Sequence, residues 1–161
     1  MDVTYILNLL SELAYLLITF GVFLVLAVFK GRQFIINIIF GLYLALLISL
    51  EFPFYEEIIG GMTDSGTIAA IKLGIFGFFT LLMTWLSARV MPEEFRERKT
   101  ETLGKKILLA AAATVLVMTF SFNALPITEF MTPGTPIQSL FAPAEFYFYW
   151  LLAPLVILFI I

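Results

Sequence analysis

The chain has no cysteine and no histidine. Their absence excludes disulfides, thiol redox pairs, and zinc or haem held through those side chains. A Ser-His dyad and an HExxH zinc site go with them. Aspartate is almost as scarce: Asp2 and Asp64 are the only two. Both lie outside the long apolar runs, so an intramembrane aspartyl protease is excluded too. Neither a Walker A motif nor a GxGxxG is present. Charged residues are 13% of the chain, against roughly 25% in an ordinary soluble domain. An enzyme is not expected, and no catalytic, cofactor-binding or metal site is assigned.

Apolar residues fill the space that charge leaves. They make up 61% of the 161 residues, more than a soluble fold of this size could hide. The expected fold class is all-α, a polytopic membrane bundle forming one domain over residues 1–161. A membrane helix needs about 20 mostly apolar residues. Spans are expected at about 9–29, 34–50, 68–88, 107–122 and 146–161. The last is only 16 residues and contains Pro154, so four spans plus a re-entrant or interfacial C-terminal segment is the alternative. The chain stops inside an apolar run, which also fits a truncated part of a longer protein. Met1–Leu10 lacks the positive stretch of a signal peptide, and the first apolar segment is expected to be retained.

The connections are distinct. Lys30-Gly31-Arg32 predicts a tight antiparallel hairpin between the first two spans, with Gly31 supplying a φ > 0 turn. Pro53 and three acids end the second span, and Gly60, Gly61, Asp64, Ser65 and Gly66 read as a loop. Residues 89–106 form a charged loop. Pro92, the Glu94/Arg98 and Glu101/Lys105 pairs, and the glutamates after Pro92 predict a short surface helix there. Residues 123–145 hold four of the seven prolines and predict a segment that folds back on the membrane or re-enters it.

Eight of the nine basic residues fall in the two loops at Lys30–Arg32 and Arg89–Lys106. Lys72 is the exception, facing eight acids on the opposite side. By the positive-inside rule those loops are cytoplasmic and the N-terminus is outside. The expected location is a membrane crossed several times, with those loops on its cytoplasmic side. The basic cluster is interleaved with Glu93, Glu94, Glu97 and Glu101, so it presents no face for nucleic acid. The expected partners are the lipid bilayer and a second copy or another membrane protein.

Two constellations stand out. Helix counting puts Glu12 about 27 Å from Lys30 and Lys72 about 25 Å from Arg89. Both then lie near the outer interface, level with Glu51 and Glu145. Snorkelling or interfacial ion pairing is one reading; an outer vestibule made of Glu12, Glu51, Lys72 and Glu145 is the other. In either case Lys72 is expected within salt-bridge reach of one of those acids. Asn37, Gly41, Ala45 and Ser49 recur every four residues along the second span. This stripe predicts a close helix-packing face, with Ala70, Gly74 and Gly77 on the third span or Ala110 and Thr114 on the fourth as its complement.

The run ending in Lys30-Gly31-Arg32, the immediate second helix with Gly41, the longer outer loop, and the third helix closing on a charged loop before Leu103-Gly104 together resemble the colicin V production (CvpA-type) family of small bacterial inner-membrane proteins. The resemblance covers residues 10–122. It implies a role in secretion or envelope maintenance and no defined active site. ERKTETLGKK stands where that family's Asp-Arg-x-x-Gly stretch is expected. The leading functional reading is a non-catalytic accessory or scaffold protein. The alternative is a channel or transporter component whose acidic outer face collects cations.

Overall fold

Backbone polar groups cannot be left unpaired in hydrocarbon, so a sequence this apolar must pair them within helices. The computed structural model describes residues 3–91, 103–123, 125 and 136–161. Helix is the only regular structure among them: α1 (Val3–Phe29), α2 (Arg32–Leu50), α3 (Tyr55–Ile59), α4 (Ser65–Val90), α5 (Leu103–Asn123), α6 (Pro136–Phe141) and α7 (Ala144–Ile160). Helices α1, α2, α4 and α5 are long and apolar enough to cross a membrane, and α7 is a shorter apolar helix. At 1.5 Å per residue they run from about 25 Å for α7 to about 40 Å for α1. Leu81 on α4 is 74% exposed and Phe159 on α7 is 92% exposed, and such outward apolar surface calls for lipid around it.

The ends of these helices follow from local chemistry. Gly31 sits between α1 and α2 at φ 89°, a conformation that L side chains rarely adopt. Asp64 caps α4 by accepting the Thr67 N–H at 2.8 Å. The Thr67 hydroxyl and backbone bonds hold its carboxyl below the usual aspartate range. The short helix α3 lies between the end of the second span and the glycine-rich connection, and the short helix α6 lies in the proline-rich segment. Glu56 and Glu57 occupy the first turn of α3, where the helix dipole favours them. The expected surface helix in 89–106 falls largely on residues 92–102, outside the described residues. Most of the proline-rich segment, residues 126–135, lies outside them too.

Packing is centred on α5. Its buried residues occur on every side: Leu109, Ala112, Ala113, Leu116, Met118, Phe120 and Phe122. Around it lie α1, α2, α6 and α7, while α4 packs chiefly on α2. The hairpin at Gly31 forms, but α1 makes its larger interface with α5 rather than with α2. Phe120 of α5 meets Tyr43 of α2 edge-on at 6.2 Å and Phe76 of α4 at 6.0 Å. Both ends of α5 are tied to the chain that packs beside it. Asn123 donates to the Phe141 carbonyl at 2.7 Å, and Lys105 donates to the Ile161 carbonyl at 3.3 Å. Helix α7 therefore runs alongside α5 over nearly its whole length.

The α2–α4 contact rests on the small-residue stripe. Asn37, Gly41 and Ala45 are buried, and Ser49 bonds the Tyr55 hydroxyl at 2.6 Å. A Cβ built on Gly41 would collide with the Thr84 side chain and lie 2.9 Å from the Thr84 backbone nitrogen. The complement on α4 is thus Thr84, not the expected glycines. Nothing stands within 4 Å of a Cβ on Gly74 or Gly77, and Ala70 is exposed. Ala110 and Thr114 are buried on α5. Because bulk at Gly41 must push two backbones apart, Gly41→Leu is expected to cost at least about 1–3 kcal/mol. Leu44→Ala, at a position 41% exposed, should cost far less. Thermal unfolding in detergent compares the two; equal melting temperatures for both variants would contradict this packing.

Candidate functional site

Polar side chains inside a membrane bundle are the natural place to seek a site. Among the described residues Glu12, Thr119 and Ser121 are buried toward the end of the bundle that carries α6, and Asn37 and Ser87 toward the opposite end. On α1, Glu12 is 2% exposed. Tyr15 lies one turn along on the same face and bonds Ser121 of α5 at 2.9 Å. Tyr15 and Leu16 pack on Met118, Phe122 and Phe141, with Trp150 closing the cluster from α7. The Trp150 ring stands 4.8 Å from that of Phe141, and its N–H donates to the Leu140 carbonyl at 2.9 Å. A buried carboxyl, a tyrosine and a serine are therefore lodged between α1, α5 and α6.

Hydroxyls on α5 are satisfied within the helix. Thr114 donates to Ala110 at 2.7 Å, Thr119 to Val115 at 2.8 Å and Ser121 to Val117 at 2.7 Å. Such back-bonding lets Ser and Thr sit in an apolar interior without an open polar face. Among the described residues no group of three His, Cys, Asp or Glu side chains is placed to hold a metal ion.

The four residues expected at one outer mouth are carried by four different elements. Glu12 is buried on α1, which packs on α5, α2 and α6. Lys72 is on α4, which packs on α2 and α3, and it lines an open groove with Tyr55, Glu56 and Met62. Glu51 is exposed at the end of α2, and Glu145 is exposed in the first turn of α7. Lys72 shares its groove with Glu56, an acid outside the expected four. Helix counting placed these residues at similar heights but carried no information on which helix neighbours which.

Sequence reasoning also passed over the contacts that join α7 to the bundle. Pro154 is buried inside α7 and cannot supply the N–H that the Trp150 carbonyl would accept. In the turn so loosened, the Tyr43 hydroxyl donates to the Leu151 carbonyl. The available signal was a proline in an apolar helix together with a lone tyrosine in another. No family model, curated protein or solved structure matches this chain.

The Tyr15–Ser121 bond is the direct tie between the polar side chains of α1 and α5. A double-mutant cycle of Tyr15→Phe and Ser121→Ala should give a coupling of about 0.6 kcal/mol, rising to at most about 1.7. Unfolding of the full chain in detergent measures it. Strictly additive losses would mean the two hydroxyls do not depend on each other.

Proposed function

We propose that this chain is a non-catalytic accessory or scaffold protein of a bacterial cytoplasmic membrane, of CvpA-like type, serving secretion or envelope maintenance. In this reading α7 is a fifth span, and the N-terminus is outside with the Lys30 and Arg89–Lys106 loops cytoplasmic. The observation that carries it is the filled centre of the bundle. Phe120, Tyr43, Phe76, Leu116, Ile39 and Ala113 occupy the middle, where a transporter needs a polar path or a cavity. The α5 hydroxyls turn onto their own backbone rather than toward a lumen. Orientation is supported by the basic loops, and the fifth span by α7 running beside α5 to the level of Lys105.

Burial of Glu12 favours the second reading, a channel or transporter component, because carboxyls inside membrane bundles mark ion and proton paths. Flux separates the two. Vesicles containing the purified chain should pass protons and monovalent cations at the rate of empty vesicles. Flux above that background, abolished by Glu12→Gln, would overturn the scaffold reading. The topology has its own check in this cysteine-free chain. Thr63→Cys and Lys30→Cys should label from opposite sides with an impermeant maleimide, and a tag fused after Ile161 should report on the Lys30 side. A tag exposed with Thr63 would leave α7 outside the set of spans.

A further inference from the structure

The groove between α3 and α4 has a chemistry that neither the bundle core nor the scaffold reading uses. It is a shallow groove of about 400 Å³, largely open to its surroundings. Tyr55, Glu56 and Ile59 of α3 form one wall, Gly60, Gly61 and Met62 the connection, and Lys72 of α4 the other wall. Lys72 is half-buried and is the only cation at this end of the bundle among the described residues. It lies two turns into α4, about 10 Å from the start of that helix, the depth at which a lysine stem lies along apolar surface while its ammonium reaches the headgroups. Glu56 lines the same groove, so a charge of each sign borders it.

The walls are held in shape. Ser49 bonds the Tyr55 hydroxyl at 2.6 Å, and Phe52 meets the Tyr55 ring edge-on at 5.0 Å. Gly61 takes φ 106°, and a Cβ on Gly60 would come within 2.5 Å of the Glu56 carbonyl oxygen. The connection is therefore built from glycine for steric reasons. Ile59 and Met62 add apolar surface beside the charges. A fixed groove at the membrane boundary, with a cation and an anion on facing walls and an aromatic ring beside them, matches a ligand that carries both signs.

We propose that this groove binds the phosphoethanolamine headgroup of a membrane lipid. The phosphate lies against the Lys72 ammonium, and the lipid ammonium lies between the Glu56 carboxylate and the Tyr55 ring. Ile59 and Met62 receive the glycerol end. A free phosphate would use Lys72 but would leave Glu56 facing a like charge. A headgroup with no amine, such as phosphoglycerol, would do the same.

Lipid retention by the full chain, purified in mild detergent, tests the assignment by native mass spectrometry. The probes are phosphatidylethanolamine, phosphatidylglycerol and diacylglycerol with the same acyl chains, with inorganic phosphate as competitor. Phosphatidylethanolamine should be retained about tenfold over diacylglycerol, the scale of one charge-assisted hydrogen bond. Lys72→Gln should abolish that preference and Lys72→Arg should keep it. Glu56→Gln, at an exposed position with little bearing on folding, should bring phosphatidylethanolamine and phosphatidylglycerol level. Unchanged preference in Lys72→Gln would overturn the proposal. So would tighter binding of phosphatidylglycerol by the native chain, or displacement of the lipid by millimolar inorganic phosphate, which would make this a free-anion site.

Discussion

Everything in this bundle depends on one helix being buried on every side. Helix α5 packs against α1, α2, α6 and α7, and its exposed positions are confined mainly to its two ends. Small residues make that feasible. Ala110, Ala112 and Ala113 let neighbouring backbones approach, and Leu116 and Phe120 fill the wider space further along. Burial on all sides also dictates the polar chemistry. A hydroxyl on such a helix must bond inward, and Thr114, Thr119 and Ser121 each do so to the carbonyl four residues earlier. In lipid, where the hydrophobic effect does not press helices together, this packing and these bonds are what hold α5 in place.

The second constraint is the proline in α7. Pro154 is a defect for an isolated helix, since it removes a donor and crowds the preceding turn. Here it is fully buried, and the Tyr43 hydroxyl bonds into the same stretch of backbone at Leu151. Tyr43 also packs edge-on against Phe120. One side chain of α2 thus joins the centre of α5 to the turn of α7 that precedes Pro154. The length of α7, about 25 Å, matters less than its alignment, because Asn123 and Lys105 bind the chain at the two ends of α5.

The elements were largely legible in the sequence and the neighbours were not. Apolar run length locates α1, α2, α4 and α5, and Gly31 and Asp64 mark turns for steric and capping reasons that need no tertiary information. The stripe of Asn37, Gly41 and Ala45 was readable as a packing face because its four-residue spacing is a property of one helix alone. Its partner was not readable. Gly74 and Gly77 share the small size expected of a complement, but they lie off the contacting face, and Thr84 is the residue that Gly41 meets. The polar cluster met the same limit. Height along the membrane can be counted from sequence, whereas the arrangement of helices round the bundle is set by packing: Glu12 is on α1, which packs chiefly on α5, and Lys72 is on α4, which packs chiefly on α2.

The central claim is that the middle of the bundle is packed and dry. Cysteine accessibility along α5 measures this directly, with no native thiol to interfere. Single substitutions at Ala113, Leu116, Val117 and Phe120 would be exposed to a small, charged thiosulfonate from both sides of a sealed vesicle. A packed bundle predicts no reaction at any of the four, with Lys105→Cys at the exposed end of α5 reacting readily as the control. Rapid modification at Ala113 or Leu116 would place water at the centre of the bundle and contradict the account.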